Sequence, residues 1–286
     1  MNYSEAYAHG TQILSAAGIS EAALDSRLLL EYITGHDRQK LLTEPAAELS
    51  GREAAEYDRL LDQRASRIPL QLITGSCNFM GIDFTVSDKV LIPRQDSECL
   101  VEEAMRYTGD GADILDLCTG SGCLLLSLMH YKNNCRGTGT DISPDALSVA
   151  RINQRMLEDT GGLNGGTVSF LEGDLYDALE AGSRFDVIIS NPPYIRSADI
   201  ETLMPEVRDH EPRLALDGGE DGLIFYRRIA KGAGEYLARY GRLFFEIGYD
   251  QAEDVTRILQ DAGYTDISVI KDYGGNDRVI TAVNAG

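Results

Sequence analysis

The sequence predicts an α/β fold in which a mostly parallel sheet is covered by helices on both faces. From residue 112 onward, short strand-like segments alternate with longer segments of helical periodicity. This alternation is typical of parallel strands joined by helical crossovers. Only residues 273–276 join the last two predicted strands, which is too short for a crossover, so the final strand should run antiparallel.

Seven strands are expected in this region. FDVIIS (185–190) has the length and β-branched content of an interior strand. The other predicted strands are ADILDLC, RGTGTDI, TVSFLEGD, RLFFEIG, TDISVIKD and DRVITAVN. A mostly parallel, Rossmann-like sheet that ends in one antiparallel hairpin is the shape of the S-adenosylmethionine-dependent methyltransferase fold, and we predict that fold here.

The N-terminal region lacks strand patterns. Within residues 1–74, apolar residues recur at helical spacing, as in Leu24, Leu28, Leu29, Tyr32 and Ile33, which predicts a small helical domain. Residues 75–92 contain NFMGIDFTVS, whose alternating side chains and central glycine predict a β-hairpin linker. The methyltransferase domain is then expected over residues 93–286.

Composition narrows the function. The 46 acidic and 26 basic residues give a formal net charge of −20, which repels nucleic-acid phosphates, so no direct nucleic-acid contact is expected. A secretory signal and an apolar segment of about 20 residues are both missing, so we expect a cytoplasmic protein with no membrane partner. Five cysteines without C-x-x-C and four scattered histidines predict no disulfide and no metal.

A cofactor site is predicted where DILDLCTGSGC (113–123) runs from a buried strand through a glycine-containing loop into a helix. Glycines let the backbone approach a ligand, and the helix start offers free N–H groups. The loop lacks both G-x-G-x-x-G spacing and a P-loop lysine, which disfavours NAD and ATP. Asp141 ends the next strand, where an acid can accept hydrogen bonds from ribose hydroxyls; a helix N-cap is the alternative.

The third strand contributes a second acid to this edge of the sheet. Asp174 is placed to bind an adenine amino group, with the backbone of Leu175 beside it. A turn or N-cap acid is an equally open interpretation of Asp174.

The fourth strand stops at Asn-Pro-Pro-Tyr. The side-chain oxygen of Asn191 and the carbonyl of Pro192 can each accept an N–H from a planar amide or exocyclic amine, and thereby orient a poorly nucleophilic nitrogen. Pro192 and Pro193 fix φ, so the carbonyl is held in advance, and Tyr194 can stack on the planar group. A tight loop with Tyr194 as core filler is the structural alternative. The same Asn-Pro-Pro-Tyr motif occurs in amino methylases of DNA and RNA bases, so the motif alone does not identify the substrate.

Several segments in order resemble the peptide chain release factor N5-glutamine methyltransferases over nearly the whole chain. They are PLQLITGSCNFMGIDFTVSDKVLIPRQDSE (69–98), DILDLCTGSGC, SNPPYI, EPRLALDGGEDGLIFYRRI (211–229), FFEIGYDQ (244–251) and NDRVI (276–280). The resemblance implies an N-terminal domain that grips a release factor and a methyltransferase domain that methylates the glutamine of a Gly-Gly-Gln tripeptide with S-adenosylmethionine.

The resemblance also implies roles for individual residues. The cofactor loop would be Cys118, Thr119, Gly120, Ser121 and Gly122, with ribose on Asp141 and adenine near Asp174 and Leu175. Asn191 to Tyr194 would hold the glutamine, with Asn191 also next to the cofactor. The alternative function is an amino methyltransferase acting on adenine N6 or guanine N2 of a nucleic acid.

Some positions depart from the family pattern or allow two interpretations. Cys118 stands where glycine is expected and should keep φ below zero, Leu175 replaces an aromatic residue, and Gln95-Asp96-Ser97 replaces Pro-Glu-Thr. Arg94 and Glu98 either organise a loop over the cofactor or form an ion pair. Glu211-Pro212 and Asp217-Gly218-Gly219 either shape the substrate mouth or cap the helix predicted from Asp221.

Overall fold

A computed structural model describes all 286 residues and divides them into two compact units. The first unit comprises Met1–Ser76 together with Met204–His210. The second comprises Cys77–Leu203 and Glu211–Gly286. The short segment 204–210 therefore belongs with the N-terminal helices, although it follows the fourth strand of the sheet in the chain.

The first unit consists mainly of helices, with one isolated antiparallel β-bridge between Asn2 and Glu48. Its helices are α1 (Tyr3–Ala16), α2 (Ala22–Thr34), α3 (Arg38–Thr43), α4 (Gly51–Ala65), α5 (Leu70–Thr74) and α9 (Pro205–Arg208). Asn2 and Ser50 form capping boxes with Glu5 and Glu53, which satisfy the free N–H groups at the starts of α1 and α4. Gly35 ends α2 at a φ of +67°, a conformation that glycine adopts without strain.

An ion-pair network lies inside this helical unit. Arg64 Nε donates to Asp25 Oδ2 at 2.7 Å, and its guanidinium also contacts Glu206 Oε1 at 3.2 Å. Arg67 donates to the same Glu206 oxygen at 3.0 Å. Buried charges are stable only when paired and hydrogen-bonded, and this network ties segment 204–210 to α2 and α4.

A hairpin of β1 (Ser76–Phe79) and β2 (Ile82–Thr85) follows α5, and all of it except Ser76 belongs to the second unit. Met80 and Gly81 both have positive φ, as the favoured two-residue hairpin turn requires. The helices of this unit are α6 (Glu98–Tyr107), α7 (Cys123–His130), α8 (Pro144–Asp159), α10 (Ile224–Tyr236) and α11 (Ala252–Asp261).

The seven-stranded sheet has the order β5-β4-β3-β6-β7-β9-β8. Its strands are β3 (Asp113–Leu117), β4 (Arg136–Asp141), β5 (Thr167–Glu172), β6 (Phe185–Ser190), β7 (Leu237–Glu246), β8 (Thr265–Lys271) and β9 (Asp277–Val283). Strands β3 to β7 pair in parallel, whereas β9 runs antiparallel to both of its neighbours. The predicted mostly parallel sheet with an antiparallel last strand is confirmed.

Two apolar cores cover the faces of the sheet. One contains side chains of α6, α7 and α8, and the other contains side chains of α10 and α11. The strand order reverses between β3 and β6, and open α/β sheets bind ligands at the carboxyl ends of the strands beside such a reversal. No helix in the chain combines the length and the apolar character that crossing a membrane requires.

Candidate active site

The loop after β3 opens onto a cavity at this reversal point. Gly120 and Gly122 both have positive φ, at +55° and +79°. A Cβ added at Gly120 would meet no atom within 4 Å, so the loop backbone faces open space there. The Thr119 N–H donates to Thr140 O at 3.0 Å, which joins the loop to the end of β4.

The expectation for the φ angle of Cys118 is wrong. Its φ is +59°, in the left-handed region, whereas a cysteine was expected to keep φ below zero. This conformation costs a residue with a Cβ about 1 kcal/mol or more, and it persists where the surrounding structure fixes the chain. β3 holds Cys118 on one side, and the Thr119–Thr140 bond holds it on the other.

Asp141 lies at the carboxyl end of β4 and lines the cavity. Its Oδ2 accepts from Gly120 N and its Oδ1 from Ser143 N, each at 2.9 Å. Burial raises the pKa of this carboxyl, and the backbone N–H groups act in the opposite direction. Ser143, not Asp141, caps the helix that follows, so the N-cap alternative does not describe Asp141.

Asp174 and Leu175 lie at another part of the cavity wall. Arg228 of α10 donates to Asp174 Oδ2 at 2.8 Å, a pairing that the sequence did not reveal. Phe225 of the same helix also lines the cavity, so an aromatic side chain is present although position 175 carries leucine. Leu175 has a φ of +57°, and its carbonyl accepts from the Thr140 hydroxyl at 2.9 Å.

Asn191 directly follows β6 and lines the same cavity, as does Pro193. Pro192 and Tyr194 are not among the lining residues. The Tyr194 hydroxyl donates to Glu246 Oε1 at 3.3 Å, and its ring packs against the core on the α10 and α11 side. The structure therefore brings the loop predicted to bind the cofactor, both predicted acids and Asn191 to one cavity.

A strap from Lys89 to Arg94 forms part of the cavity wall. Arg94 pairs with Glu211, and Ile92 N donates to the same carboxylate at 3.3 Å. Glu98 instead accepts from Met80 N at 2.7 Å in the hairpin, so Arg94 and Glu98 do not form the ion pair that was one of their two interpretations. Burial raises the pKa of Glu211, and Arg94 acts against that rise.

The hydrogen-bond acceptors and the apolar surface of the cavity suit S-adenosylmethionine. Carboxylates at Asp141 and Asp174 can accept hydrogen bonds from hydroxyl and amino groups. The loop is open above Gly120, and the apolar surface of Ile142, Leu175 and Phe225 can cover a flat ring.

Comparison with known proteins gives the family. A model described as the PrmC N-terminal domain matches residues 5–75, and a methyltransferase domain model matches residues 114–210. The release factor glutamine methyltransferase of Clostridium acetobutylicum is 41% identical over 267 residues, covering 92% of this chain and 91% of that protein. The protein of the same name from Moorella thermoacetica is 40% identical over 285 residues, covering 99% and 98%.

The chain belongs to the release factor glutamine methyltransferase family.

The resemblance stated from the sequence motifs is thus confirmed, as is the class of S-adenosylmethionine-dependent methyltransferase. A solved methyltransferase from Pyrococcus furiosus superposes with a TM-score of 0.54 at 19% identity and covers 72% of this chain and 90% of that chain. That likeness shows the shared fold. The roles of the individual site residues remain predictions.

Proposed function

We propose that this chain transfers a methyl group from S-adenosylmethionine to the side-chain amide nitrogen of the glutamine in a Gly-Gly-Gln motif of a peptide chain release factor, in the cytoplasm. Membership of the glutamine methyltransferase family supports the substrate. The observation that carries the chemistry is the position of Asn191, which lines the same cavity as the Gly120 loop and Asp141.

The chemistry needs orientation more than acid or base catalysis. When bound, S-adenosylmethionine would supply a methyl group on a positive sulfonium; the carbon–sulfur bond would break as the nitrogen–carbon bond forms, and the sulfur would leave as a neutral thioether that needs no proton. An amide nitrogen is a poor nucleophile because its lone pair is delocalised into the carbonyl. Asn191 Oδ1 and the Pro192 carbonyl would each accept one amide hydrogen and hold the nitrogen in a reactive orientation. The nitrogen can then release its proton once methylation has made it acidic.

Tyr194 remains a predicted substrate-binding residue, but less of its side chain is available for contact than the sequence suggested. Its hydroxyl is hydrogen-bonded to Glu246 and its ring packs against the core, so only the part of the ring that the core leaves uncovered can contact a planar group. Burial raises the pKa of the Tyr194 hydroxyl, and the nearby Glu246 carboxyl acts in the same direction, so the hydroxyl stays protonated at neutral pH.

For the cofactor we propose the loop Cys118–Gly122 under the methionine portion, Asp141 on the ribose, and Asp174 with Leu175 at the adenine. These positions follow the carboxyl edge of the sheet from β3 through β4 to the end of β5. Nucleotides bound by such folds lie along this edge. All of them except Gly122 line the cavity.

The alternative function is base methylation of a nucleic acid, and one labelling experiment separates the two. The protein is incubated with radiolabelled S-adenosylmethionine and a release factor, the same factor with its motif Gln replaced by Glu, or duplex DNA. Label in the first alone supports the proposal, because Glu lacks the amide nitrogen. Label in DNA, or equal label in both factor variants, contradicts it. The net charge of −20 favours the protein substrate.

We also propose that the helical unit, predicted over residues 1–74, docks the release factor. It exposes large apolar side chains, among them Tyr32 at 52% and Leu42 at 67%. Leu42→Asp should raise KM for an intact release factor at least about fivefold while leaving kcat/KM for a short Gly-Gly-Gln peptide unchanged. Equal losses on both substrates would refute the docking role.

A further inference from the structure

The Asn191–Tyr194 segment is anchored at both ends. Before it, the Ser190 hydroxyl donates to Leu117 O at 2.7 Å within the paired strands β6 and β3. After it, Gln251 Nε2 donates to Tyr194 O at 3.0 Å. Because the two intervening prolines have fixed φ, few rotations remain free between these anchors.

Gln251 lies in the turn between β7 and α11 and is 3% exposed. Its Oε1 accepts from Gly248 N at 2.9 Å. The Tyr226 hydroxyl lies 3.4 Å from this oxygen and donates to Glu246 O at 2.9 Å. The second amide hydrogen of Gln251 reaches Gly222 O at 3.3 Å. The Gly248 N–H requires an oxygen partner, which sets the orientation of the side-chain amide, and the amide oxygen and both amide hydrogens are then hydrogen-bonded.

The loop that contains Gly218 and Gly222 packs on the same segment through its backbone. A Cβ added at Gly218 would lie 2.7 Å from Tyr194 Cα and 2.8 Å from Pro193 O. One added at Gly222 would collide with Tyr194 O and lie 2.8 Å from Gln251 Nε2. Gly218 N also donates to Ile195 O at 2.8 Å. Only glycines allow the loop to approach this closely.

The structure does not support the capping interpretation of Asp217-Gly218-Gly219, because Asp217 Oδ1 accepts from Gly219 N at 3.0 Å and from the Ser197 hydroxyl, and no side chain caps α10. A role at the substrate mouth stays a prediction. Gly218 lies against the Asn-Pro-Pro-Tyr backbone, whereas Asp221 Oδ1 accepts from Leu223 N just before α10. Gln251 is the side chain that joins the loop, the turn after β7 and Tyr194.

We propose that Gln251 is a positioning residue for methyl transfer. By holding the Tyr194 carbonyl, it fixes the rigid prolines and hence the direction of the Pro192 carbonyl and the Asn191 side chain toward the amide. It acts through these groups, since its amide oxygen and both amide hydrogens are already bonded to protein atoms. This role rests on the proposed function and adds a residue to it.

Two substitutions test the role. Gln251→Glu keeps the shape of the side chain, and its buried carboxyl, facing two carbonyl oxygens, should have a raised pKa. Protonated, it donates to Tyr194 O as the amide does; ionised, it repels that oxygen. The ratio of its kcat to that of wild type should therefore fall about tenfold or more between about pH 6 and about pH 9. Gln251→Met, which has no donor, should lower kcat about tenfold or more at both pH values.

The cofactor Kd, measured by calorimetry, should stay within about twofold of wild type for both variants. Tyr264→Phe is the matched control, because it removes a buried hydrogen bond from Tyr264 to Ala230 O, of 3.1 Å, in the same core without touching Tyr194. The kcat of Tyr264→Phe should remain within about twofold of wild type at both pH values, because the lost hydrogen bond lowers stability without moving the Asn191–Tyr194 segment. This variant therefore controls for a general loss of stability.

A constant ratio for Gln251→Glu across the pH range, a wild-type kcat for Gln251→Met, or an equal loss in Tyr264→Phe would each overturn the proposal. Where Gln251→Met does not fold, the pH series of Gln251→Glu decides alone. Wild-type protein that fails to label a Gly-Gly-Gln substrate refutes the proposed function itself. Wild-type activity with unaffected variants refutes only the role of Gln251.

Discussion

Arg228 Nη2 donates to Asp174 Oδ2 at 2.8 Å, joining α10 to the loop that follows β5 at the cavity wall. Both side chains are more than a third exposed, so water screens the pair and its own contribution is about 0–1 kcal/mol. The pair orients a carboxylate oxygen while leaving the other free for an amino group.

If Asp174 accepts the adenine amino group, S-adenosylhomocysteine should bind about tenfold more tightly than S-inosylhomocysteine, which has an oxygen in place of that amino group. Asp174→Ala should bring the ratio close to one, whereas Arg228→Gln should reduce it at most about fivefold. Calorimetric titration measures both affinities. An unchanged ratio in Asp174→Ala would assign the adenine to another part of the cavity.

Asn191 should affect the rate and leave cofactor affinity intact, because it acts on the nucleophile. Asn191→Ala is expected to lower kcat about 100-fold or more while the Kd for S-adenosylmethionine changes less than about twofold. Asn191→Asp keeps the acceptor oxygens and should lose less activity than Asn191→Ala. Single-turnover kinetics separates chemistry from binding, and wild-type kcat in the alanine variant would remove Asn191 from the mechanism.

The sheet could be predicted from the sequence because each strand and helix has its own local signal of period and length. The buried face of α2 could not be predicted in this way. The apolar pattern pointed to Leu24 and Tyr32, yet these are 40% and 52% exposed, and Asp25 and Ser26 are buried instead. Partners far along the chain decide this: Asp25 pairs with Arg64, and Ser26 with the Tyr57 hydroxyl.

In the candidate site, too, local sequence patterns identified some residues and missed others. Residues on strand ends, such as Asp141 and Asn191, could be placed because the carboxyl ends of parallel strands share one edge. Arg228, Phe225 and Gln251 reach the site or its supporting loops from positions remote in sequence, and nothing local marks them. The only sequence signal was their inclusion in the segments 211–229 and 244–251, which carry the family resemblance.

The pairing of Asp25 gives a stability prediction. Its side chain and that of Arg64 are each only 10% exposed, so Asp25→Ala leaves a buried guanidinium with fewer partners. The free energy of unfolding should fall by about 3 kcal/mol in urea titrations. Glu253→Ala removes an ion pair whose carboxylate is 89% exposed, and it should leave the free energy of unfolding unchanged in the same titrations. Similar shifts in the two variants would show that the buried network contributes no more than a surface pair.

The left-handed conformation of Cys118 predicts an intolerance of branching at Cβ. Cys118→Val should lower the free energy of unfolding by about 1–3 kcal/mol, because β-branched residues are outliers at positive φ. It should also weaken binding of S-adenosylhomocysteine. Cys118→Gly removes the backbone strain but gains disorder in the unfolded chain, so its stability should stay within about 1 kcal/mol of wild type. Equal stability of the valine and glycine variants would mean that the backbone relaxes at this position.

Asp116, in the centre of the sheet on β3, should make stability depend on pH. Burial raises its pKa from an ordinary 3.8 to about 7, while the hydrogen bond from the Thr119 hydroxyl, 2.6 Å long, acts against the rise. Its Oδ1 has no partner. Between these two pKa values the folded protein keeps the proton that the unfolded chain has lost. The stabilising effect of this proton is therefore complete below about pH 4 and disappears as pH rises toward 7.

Other acidic groups also titrate in this range, so the comparison with Asp116→Asn is what isolates the effect. The amide has nearly the same shape and can still accept from Thr119, but it does not ionise. The free energy of unfolding of wild type minus that of the variant should fall by more than about 1 kcal/mol from pH 4 to pH 7 in urea titrations. The sign follows from the folded state binding more protons than the unfolded state. A difference that stays constant or grows with pH would mean that Asp116 is ionised inside the sheet, and that a cation or a bound water compensates the orphan oxygen.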